Sequence, residues 1–148
     1  AAHEPAKCKS ILLSALSLPP SPSTPLLLDL FFYSYAFCKD NGLSPLKTST
    51  FLSLLSAVVS ADCAAPCGPH HGMGKSYAAF EEMLMRHSVE RPPTSTCVFD
   101  REDVVKITDF VAGQYYRMWR VYKTACSSRG RVITRLVQVG SCGVEENG

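Results

Sequence analysis

The sequence has few charged residues and no large excess of either sign. Charged side chains make up 19% of the 148 residues, and the formal net charge is +2 at pH 7. A charge this small does not indicate binding to nucleic acid or to a membrane surface, so we expect neither as a partner. Disorder of most of the chain is also excluded, because 46% of the residues are hydrophobic and can form a core.

The sequence also lacks the motifs of common enzymes. It contains no G-x-S-x-G elbow, no H-E-x-x-H zinc motif and no D-x-D-x-D-G calcium loop. No arrangement of nucleophile and base can be assigned from residue spacing alone. We therefore predict that the protein is not an enzyme and needs no cofactor.

A disulfide framework is not expected either. The cysteines are odd in number and are scattered through segments with mostly helical patterns. This usage is typical of reduced thiols in a reducing cytoplasmic compartment, where a buried cysteine behaves as a small hydrophobic residue. The seven are Cys8, Cys38, Cys63, Cys67, Cys97, Cys126 and Cys142.

No apolar run is continuous enough to cross a membrane. The long uncharged segment 10–28 contains four prolines, which would break a spanning helix. We expect no signal peptide, because the apolar run 11–18 is short and is followed by two prolines. The proline-rich segment 18–25 instead predicts an extended connector.

The positions of the prolines and of the helical patterns divide the chain into three predicted parts. Residues 1–25 are predicted to form a short N-terminal helix and the connector, residues 26–128 a single helical domain, and residues 129–148 a C-terminal arm and tail.

Helix-start signals recur in the central part. A polar residue followed by proline, typical of a first helical turn, occurs at Thr24-Pro25 and at Ser44-Pro45. The segment after Thr24 is apolar nearly all round, which predicts a central helix enclosed on all sides. The predicted fold is mainly α, a small bundle of about four helices at residues 26–39, from Pro45 to a loop at 63–74, and at about 75–89 and 100–125.

The fourth helix has a capping box and a wide apolar stripe. Asp100 and Asp103 have the required three-residue spacing. Residues at three- and four-residue steps predict one continuous helix with a buried face made by Val104, Ile107, Thr108, Val111, Tyr115, Met118, Trp119, Tyr122 and Cys126. Beyond Gly130, a β-branched run predicts a strand or extended arm that docks against another molecule.

Residues 72–76, Gly-Met-Gly-Lys-Ser, resemble part of a phosphate-binding loop ahead of a helix. That pattern requires a glycine five residues before Gly74, where this sequence has Pro69. The segment before it is also helical in pattern rather than a strand. Nucleotide binding is therefore an alternative that we do not favour.

A cysteine–histidine loop offers a second alternative, metal binding. Thiolates and imidazoles are zinc ligands, and Cys63, Cys67, His70 and His71 lie within nine residues of one another. Adjacent histidines rarely reach one tetrahedral ion together, and no second cysteine pair supports them. A polar loop without metal is the preferred interpretation.

Basic and aromatic residues cluster late in the chain. The aromatic ones are better explained as core, whereas arginines are not needed there and suit pairing with carboxylates. We predict a partner-binding surface made by Arg86, His87, Arg91, Pro92, Pro93, Arg117, Arg120 and Lys123. The alternative is that Arg86 and Arg91 pair within the chain, with Glu82 and Glu90.

The most specific part of the sequence is Arg-His-Ser-Val-Glu-Arg-Pro-Pro at 86–93, followed by the aromatic and basic helix. Further distinctive segments are 26–37, 42–53, 98–100, 107–111 and 115–117. Together these segments resemble a family of cilia- and flagella-associated proteins, historically labelled coiled-coil-domain proteins, and the resemblance extends from about residue 26 to 140. A sister family of ciliary calcium-binding coiled-coil proteins is similar around residues 26–53.

The resemblance implies a structural or adaptor subunit of the axonemal central apparatus that contributes to the regulation of motility. The implied partners are a large axonemal scaffold protein related to sperm-associated antigen and other projection subunits, with calmodulin in the same complex and microtubule contact as a further alternative. The sister family instead implies an adaptor associated with radial spokes. Calcium ligands and a long charged heptad segment are both absent from this sequence, so neither direct calcium binding nor a coiled coil is expected.

Overall fold

The computed structural model describes residues 5–16, 23–66, 70–89 and 97–126. Within these ranges the chain is helical and contains no strand, which confirms the mainly α fold class. A short 3₁₀ turn, Tyr116–Met118, separates the last two helices. The helices are α1 Pro5–Ala15, α2 Thr24–Asp40, α3 Pro45–Ala64, α4 Met73–Arg86, α5 Arg101–Gln114 and α6 Trp119–Cys126. Residues 18–22 of the predicted connector and the whole C-terminal arm lie outside the described residues, whereas Thr24 and Pro25 already belong to α2.

Helices α3 and α5 begin where the sequence predicts. The Ser44 hydroxyl accepts a hydrogen bond from the Lys47 amide at 3.3 Å, and Pro45 occupies the first helical position. At α5, Asp100 and Asp103 form a capping box, in which the Asp100 amide donates to Oδ2 of Asp103 at 3.1 Å. Both caps satisfy amides that the first turn of a helix leaves unpaired.

Helix α2 begins one residue earlier than its predicted cap implies. Ser23, not Thr24, is the N-cap, and its side chain makes no capping hydrogen bond. The helix ends at a Schellman motif: the Gly42 amide donates to the Lys39 carbonyl at 3.1 Å, and the Leu43 amide to the Cys38 carbonyl at 2.9 Å. Gly42 has φ +65°, a left-handed conformation that favours glycine.

The core is centred on α2 and α3. Phe31 on α2 is 1% exposed, and Phe51 on α3 is fully buried. The prediction that α2 is enclosed on all sides is wrong, because Tyr33 is 59% exposed and Lys39, near the end of the helix, is exposed as well. Phe110 on α5 stacks on Phe37 with ring centroids 4.2 Å apart, and this contact fixes α5 against α2.

The predicted continuous fourth helix is interrupted after Gln114. Tyr115 and Tyr116 are both buried, although neighbouring residues of a continuous α-helix point about 100° apart and do not share one narrow face. The 3₁₀ turn allows both rings to pack inward, with centroids 5.0 Å apart. It also changes the register of the stripe, so Met118, which was expected in the core, is 51% exposed.

Ion pairs made by two lysines hold the outer elements. Lys47 at the start of α3 pairs with Asp103 at 2.5 Å and with Asp100 at 3.1 Å, which fastens α3 to the first turn of α5. Lys9 on α1 pairs with Asp29 on α2 at 2.5 Å, beside the buried Leu12. None of the described helices has the length and apolar character needed to cross a membrane.

Candidate functional site

A carboxylate lies at the centre of the bundle. Asp62, near the end of α3, is 2% exposed. Its Oδ2 accepts hydrogen bonds from the Tyr115 hydroxyl at 2.5 Å, the Ser76 hydroxyl at 2.7 Å and the Trp119 indole Nε1 at 3.0 Å. Its Oδ1 lies 2.7 Å from Nε2 of His71. One carboxylate therefore joins α3, the start of α4, the end of α5 and α6.

A buried lysine completes this network. Lys123 on α6 is 7% exposed, and its Nζ donates to the carbonyl oxygens of Asp62 and Ala65. The last carbonyls of a helix have no partner within the helix, and a cation there is favoured by the helix dipole. Lys123 therefore binds the C-terminal end of α3, while Tyr116 extends the network by a 3.0 Å hydrogen bond to Ser76.

The network keeps Asp62 charged. Burial raises the pKa of the carboxyl, but the hydrogen bonds from Tyr115, Ser76, His71 and Trp119 outweigh it, so the pKa lies below its ordinary value. Burial and the adjacent carboxylate raise the pKa of the Tyr115 hydroxyl above its ordinary range. Tyr115 therefore stays protonated at neutral pH and donates to the Asp62 carboxylate.

These side chains are not arranged as a nucleophilic site. Serine, histidine and aspartate meet here, as they do in nucleophilic sites, but a catalytic histidine must lie between the serine and the carboxylate. Here Ser76 and His71 both bind Asp62, and no hydrogen bond joins them to each other in the described part of the chain. Ser76 is only 3% exposed, so its hydroxyl is also shielded from solvent. What the cluster does is hold four segments in one geometry.

The cysteine–histidine loop is not assembled as a metal site in the part that the structure describes. No three His, Cys, Asp or Glu side chains are grouped there in a way that could hold a metal ion. Burial and the adjacent Cys126 raise the pKa of the Cys63 thiol to about 12, so this thiol is protonated at neutral pH. His70 lies on the loop before α4, His71 is engaged by Asp62, and Cys67 lies outside the described residues.

The glycine–lysine–serine segment does not form a phosphate loop. Helix α4 begins at Met73, two residues earlier than predicted, so Gly74 and Ser76 are already helical. The Ser76 hydroxyl is committed to Asp62, and Nζ of Lys75 donates to the His70 carbonyl at 2.7 Å. The structure gives this alternative no support.

The predicted partner-binding residues are divided between two places. Arg86 and His87 are at the C-terminal end of α4, whereas Met73 at the other end of α4 lies beside Arg117 and Arg120. The two ends of this helix are separated by about 20 Å, at 1.5 Å per residue. The structure therefore does not bring Arg86 together with Arg117 and Arg120.

At the end of α4, Arg86 is exposed and pairs with Glu82, one helical turn away. This was the alternative that the sequence left open for Arg86, although a pair this exposed contributes little stability and can exchange partners. His87 is half-buried, and its Nδ1 lies 2.8 Å from the Met83 carbonyl. The remaining residues predicted here, Arg91, Pro92 and Pro93, lie outside the described residues.

The second place is a shallow groove of about 280 Å³, which we call the basic groove. Arg117 and Arg120 are exposed beside it. Among the described residues, no carboxylate pairs with either arginine. Lys123, which was predicted to belong to this surface, does not lie there, because its amine is buried against α3. The basic groove is lined by Met73, Tyr116, Arg117, Met118, Trp119, Arg120 and Val121.

Sequence reasoning missed Asp62 altogether. A signal was present, because Asp62 follows Val58 by four residues and Leu55 by seven, which places it on the apolar face of α3. It is also the only acidic residue in that helix. A lone carboxylate on a buried helical face requires donors from elsewhere in the fold, and the late tyrosines and tryptophan supply them.

Comparison with known families shows what the chain is similar to. The family model described as CLAMP, flagellar C1a complex subunit C1a-32, matches residues 33–133. The match covers the whole of α3, α4, α5 and α6 and the C-terminal part of α2 from Tyr33, so it includes both the Asp62 network and the basic groove.

Proposed function

Since the chain belongs to the CLAMP family of flagellar C1a complex subunits, we propose that it acts in that complex as a non-enzymatic adaptor that docks through exposed arginines. Membership makes it a structural subunit of the axoneme, in the central apparatus of cilia and flagella. The other subunits of the same projection are its partners. The radial-spoke alternative is not favoured by this match.

The observation that carries the proposal is the pair Arg117 and Arg120. Both are exposed, and neither has an ion-pair partner among the described residues, whereas Arg86 and Lys47 do. Arginine is enriched at interface hot spots because its planar guanidinium binds carboxylates with two hydrogen bonds and stacks on rings. An unpaired arginine pair on a folded surface is therefore suited to a partner's carboxylates.

The Asp62 network supports an adaptor by holding that surface still. Trp119 lies between the two arginines in sequence, and its indole is fixed by the hydrogen bond to Asp62. Tyr116 just before them is fixed by Ser76. A surface held in its bound geometry loses less entropy on association, which is how preorganisation increases affinity.

Four finer assignments belong to the proposal. The large axonemal scaffold is the direct partner of the arginine surface, and the segment from Arg86 to Pro93 makes a second contact. Calmodulin is present in the same complex without wrapping α6, since Trp119 and Tyr122, its large apolar residues, are buried in the bundle. Microtubule contact is secondary, because the basic groove presents two arginines rather than an extended basic track to an acidic tubulin surface.

Two measurements test the adaptor against an enzyme. Proximity labelling from the full chain in motile cilia should recover subunits of the projection and its scaffold. The purified chain should contain no stoichiometric zinc and should not turn over ATP. Stoichiometric zinc, real turnover, or recovery of cytosolic enzymes without axonemal proteins would contradict the proposal.

A further inference from the structure

We infer that the basic groove receives an aliphatic side chain from an acidic segment of another projection subunit, with carboxylates of that segment on Arg117 and Arg120. This inference rests on the proposed function and adds the chemistry of the partner. The occupant is a segment in which an aliphatic residue has aspartates or glutamates within about one helical turn.

The size of the basic groove selects a side chain over a small molecule. Its volume is about 280 Å³, which lies at the lower limit of pockets for drug-sized ligands, about 300–1,000 Å³. It is also shallow and open, whereas a cofactor site buries most of its ligand. One or two side chains of a partner are what such a concavity accommodates.

Three of the residues that line the basic groove are apolar and exposed to solvent. Met73 is 49% exposed, Met118 51% and Val121 49%, and all three line the same concavity. Single exposed apolar residues are ordinary, but a group of them around one concavity indicates an interaction site. Methionine adapts its shape to the residue it contacts, so two methionines suit an aliphatic partner side chain.

The charge of the rim selects an acidic partner. Arg117 and Arg120 are three residues apart across the start of α6 and both line the groove. No carboxylate among the described residues pairs with either guanidinium group. Carboxylates of a partner are therefore suitable ligands for them. Opposite charges across an interface also exclude basic competitors and accelerate association.

Nucleic acid fits this surface poorly. Binding of single strands requires exposed aromatic rings on which bases stack, together with a basic path along the backbone. The two rings in the basic groove, Tyr116 and Trp119, are only 7% and 9% exposed, and their polar atoms are engaged by Ser76 and Asp62. The rim offers two cations rather than a track. A protein segment is the better occupant.

Site-specific photo-crosslinking in isolated axonemes tests the inference. A photo-crosslinking amino acid is placed at position 121 of the full chain, the chain is expressed in cilia, and the crosslinked peptide is sequenced by mass spectrometry. The expected peptide comes from another projection subunit and has an aliphatic residue with at least two Asp or Glu within about four residues. Immunoblotting of the same axonemes measures incorporation separately.

Two variants test separately the contacts of the arginines with carboxylates and the apolar contact with the aliphatic side chain. Arg117→Glu with Arg120→Glu should lower the crosslink yield per incorporated chain about tenfold, as expected for hot-spot arginines. Met118→Ser should lower it about fivefold. The matched controls are Arg101→Glu, at the first residue of α5, and Val105→Ser on the same helix, which is 55% exposed; neither should change the yield.

The outcomes separate this inference from the proposed function. Incorporated chain that gives no crosslink at position 121, or a peptide without carboxylates, would overturn the inference and leave the adaptor role standing. A peptide from a second copy of this chain, or from an acidic tubulin tail without an aliphatic residue, would overturn it as well. Absence of the unsubstituted chain from the axoneme would instead overturn the proposed function.

Discussion

Trp119 and Asp62 are 57 residues apart in the chain, and the indole Nε1 donates to Oδ2 across 3.0 Å. Tyr115, four residues before Trp119, donates to the same oxygen. The side chains on either side of the 3₁₀ turn are therefore bound to one buried atom of α3. This double attachment positions Arg117 and Arg120, so the stability of the interior and the geometry of the basic groove are coupled.

Asp62→Ala should destabilise the fold by about 3 kcal/mol or more. The substitution leaves buried donors of Tyr115, Ser76 and Trp119 without an acceptor, and each unsatisfied group costs about 1–3 kcal/mol. Urea unfolding followed by circular dichroism measures the change. Asp109→Ala, at an exposed position of α5, is the control and should stay within about 0.5 kcal/mol. A loss under about 1 kcal/mol at Asp62 would mean that the network is not formed in solution.

The stability should fall in acid. The pKa of Asp62 lies below its ordinary value in the folded protein, as does that of Asp103, where burial is outweighed by Lys47 and the Asp100 amide. A carboxyl with a lowered folded pKa stabilises above the unfolded pKa of about 3.9, and this contribution is lost as pH falls through the folded value.

The free energy of unfolding, measured in urea from pH 7 to pH 3, should therefore decrease below about pH 4 to 5. Asp62→Asn cannot titrate and should show a smaller decrease over the same interval, although it starts from a lower stability. Equal pH dependence in the variant and the unsubstituted chain would exclude Asp62 as a source of the acid sensitivity.

Phe31→Ala should cost about 3–5 kcal/mol, the range for truncating a large aromatic residue in a core. Phe31 is 1% exposed, in the centre of α2. Tyr33→Ala, two residues away and 59% exposed, is the matched control and should cost less than about 1 kcal/mol. Thermal or urea unfolding compares them directly, and similar losses at the two positions would mean that α2 is not oriented as described.

Lys123→Met should change stability rather than docking. The amine loses its hydrogen bonds to the carbonyls of Asp62 and Ala65, which should cost about 1–3 kcal/mol, while methionine preserves most of the packing. Incorporation of the folded variant into axonemes should match that of the unsubstituted chain. A variant of unchanged stability that fails to incorporate would return Lys123 to the partner surface.

Local signals predicted the starts of α3 and α5 because their determinants are close in sequence. Ser44 needs only the amide of Lys47, and Asp100 needs only Asp103. The central position of α2 followed from its composition alone. Such features depend on a few neighbouring residues and on the helical period, which a sequence displays directly.

The interior network could not be predicted in the same way. The apolar stripe from Val104 to Cys126 is compatible with one long helix and also with two helices joined by a turn. The turn places Tyr115 and Trp119 within hydrogen-bonding distance of Asp62, and this contact is not visible in the local pattern. Lysine is usually a surface residue, yet Lys123 is buried because its amine donates hydrogen bonds to the backbone carbonyls at the end of α3. These outcomes depend on contacts between residues 40 to 61 positions apart, which local patterns do not encode.

Axonemal incorporation of Arg117→Glu with Arg120→Glu tests the account most directly. Both residues are exposed, so stability should change by less than about 1 kcal/mol. Incorporation, measured by immunoblot of isolated axonemes, should fall about tenfold, because carboxylates now face the carboxylates of the partner. Arg101→Glu, which makes a similar charge change at the first residue of α5, should incorporate normally. Unchanged folding together with unchanged incorporation of the double variant would contradict the account, because the basic groove would then be ordinary solvated surface.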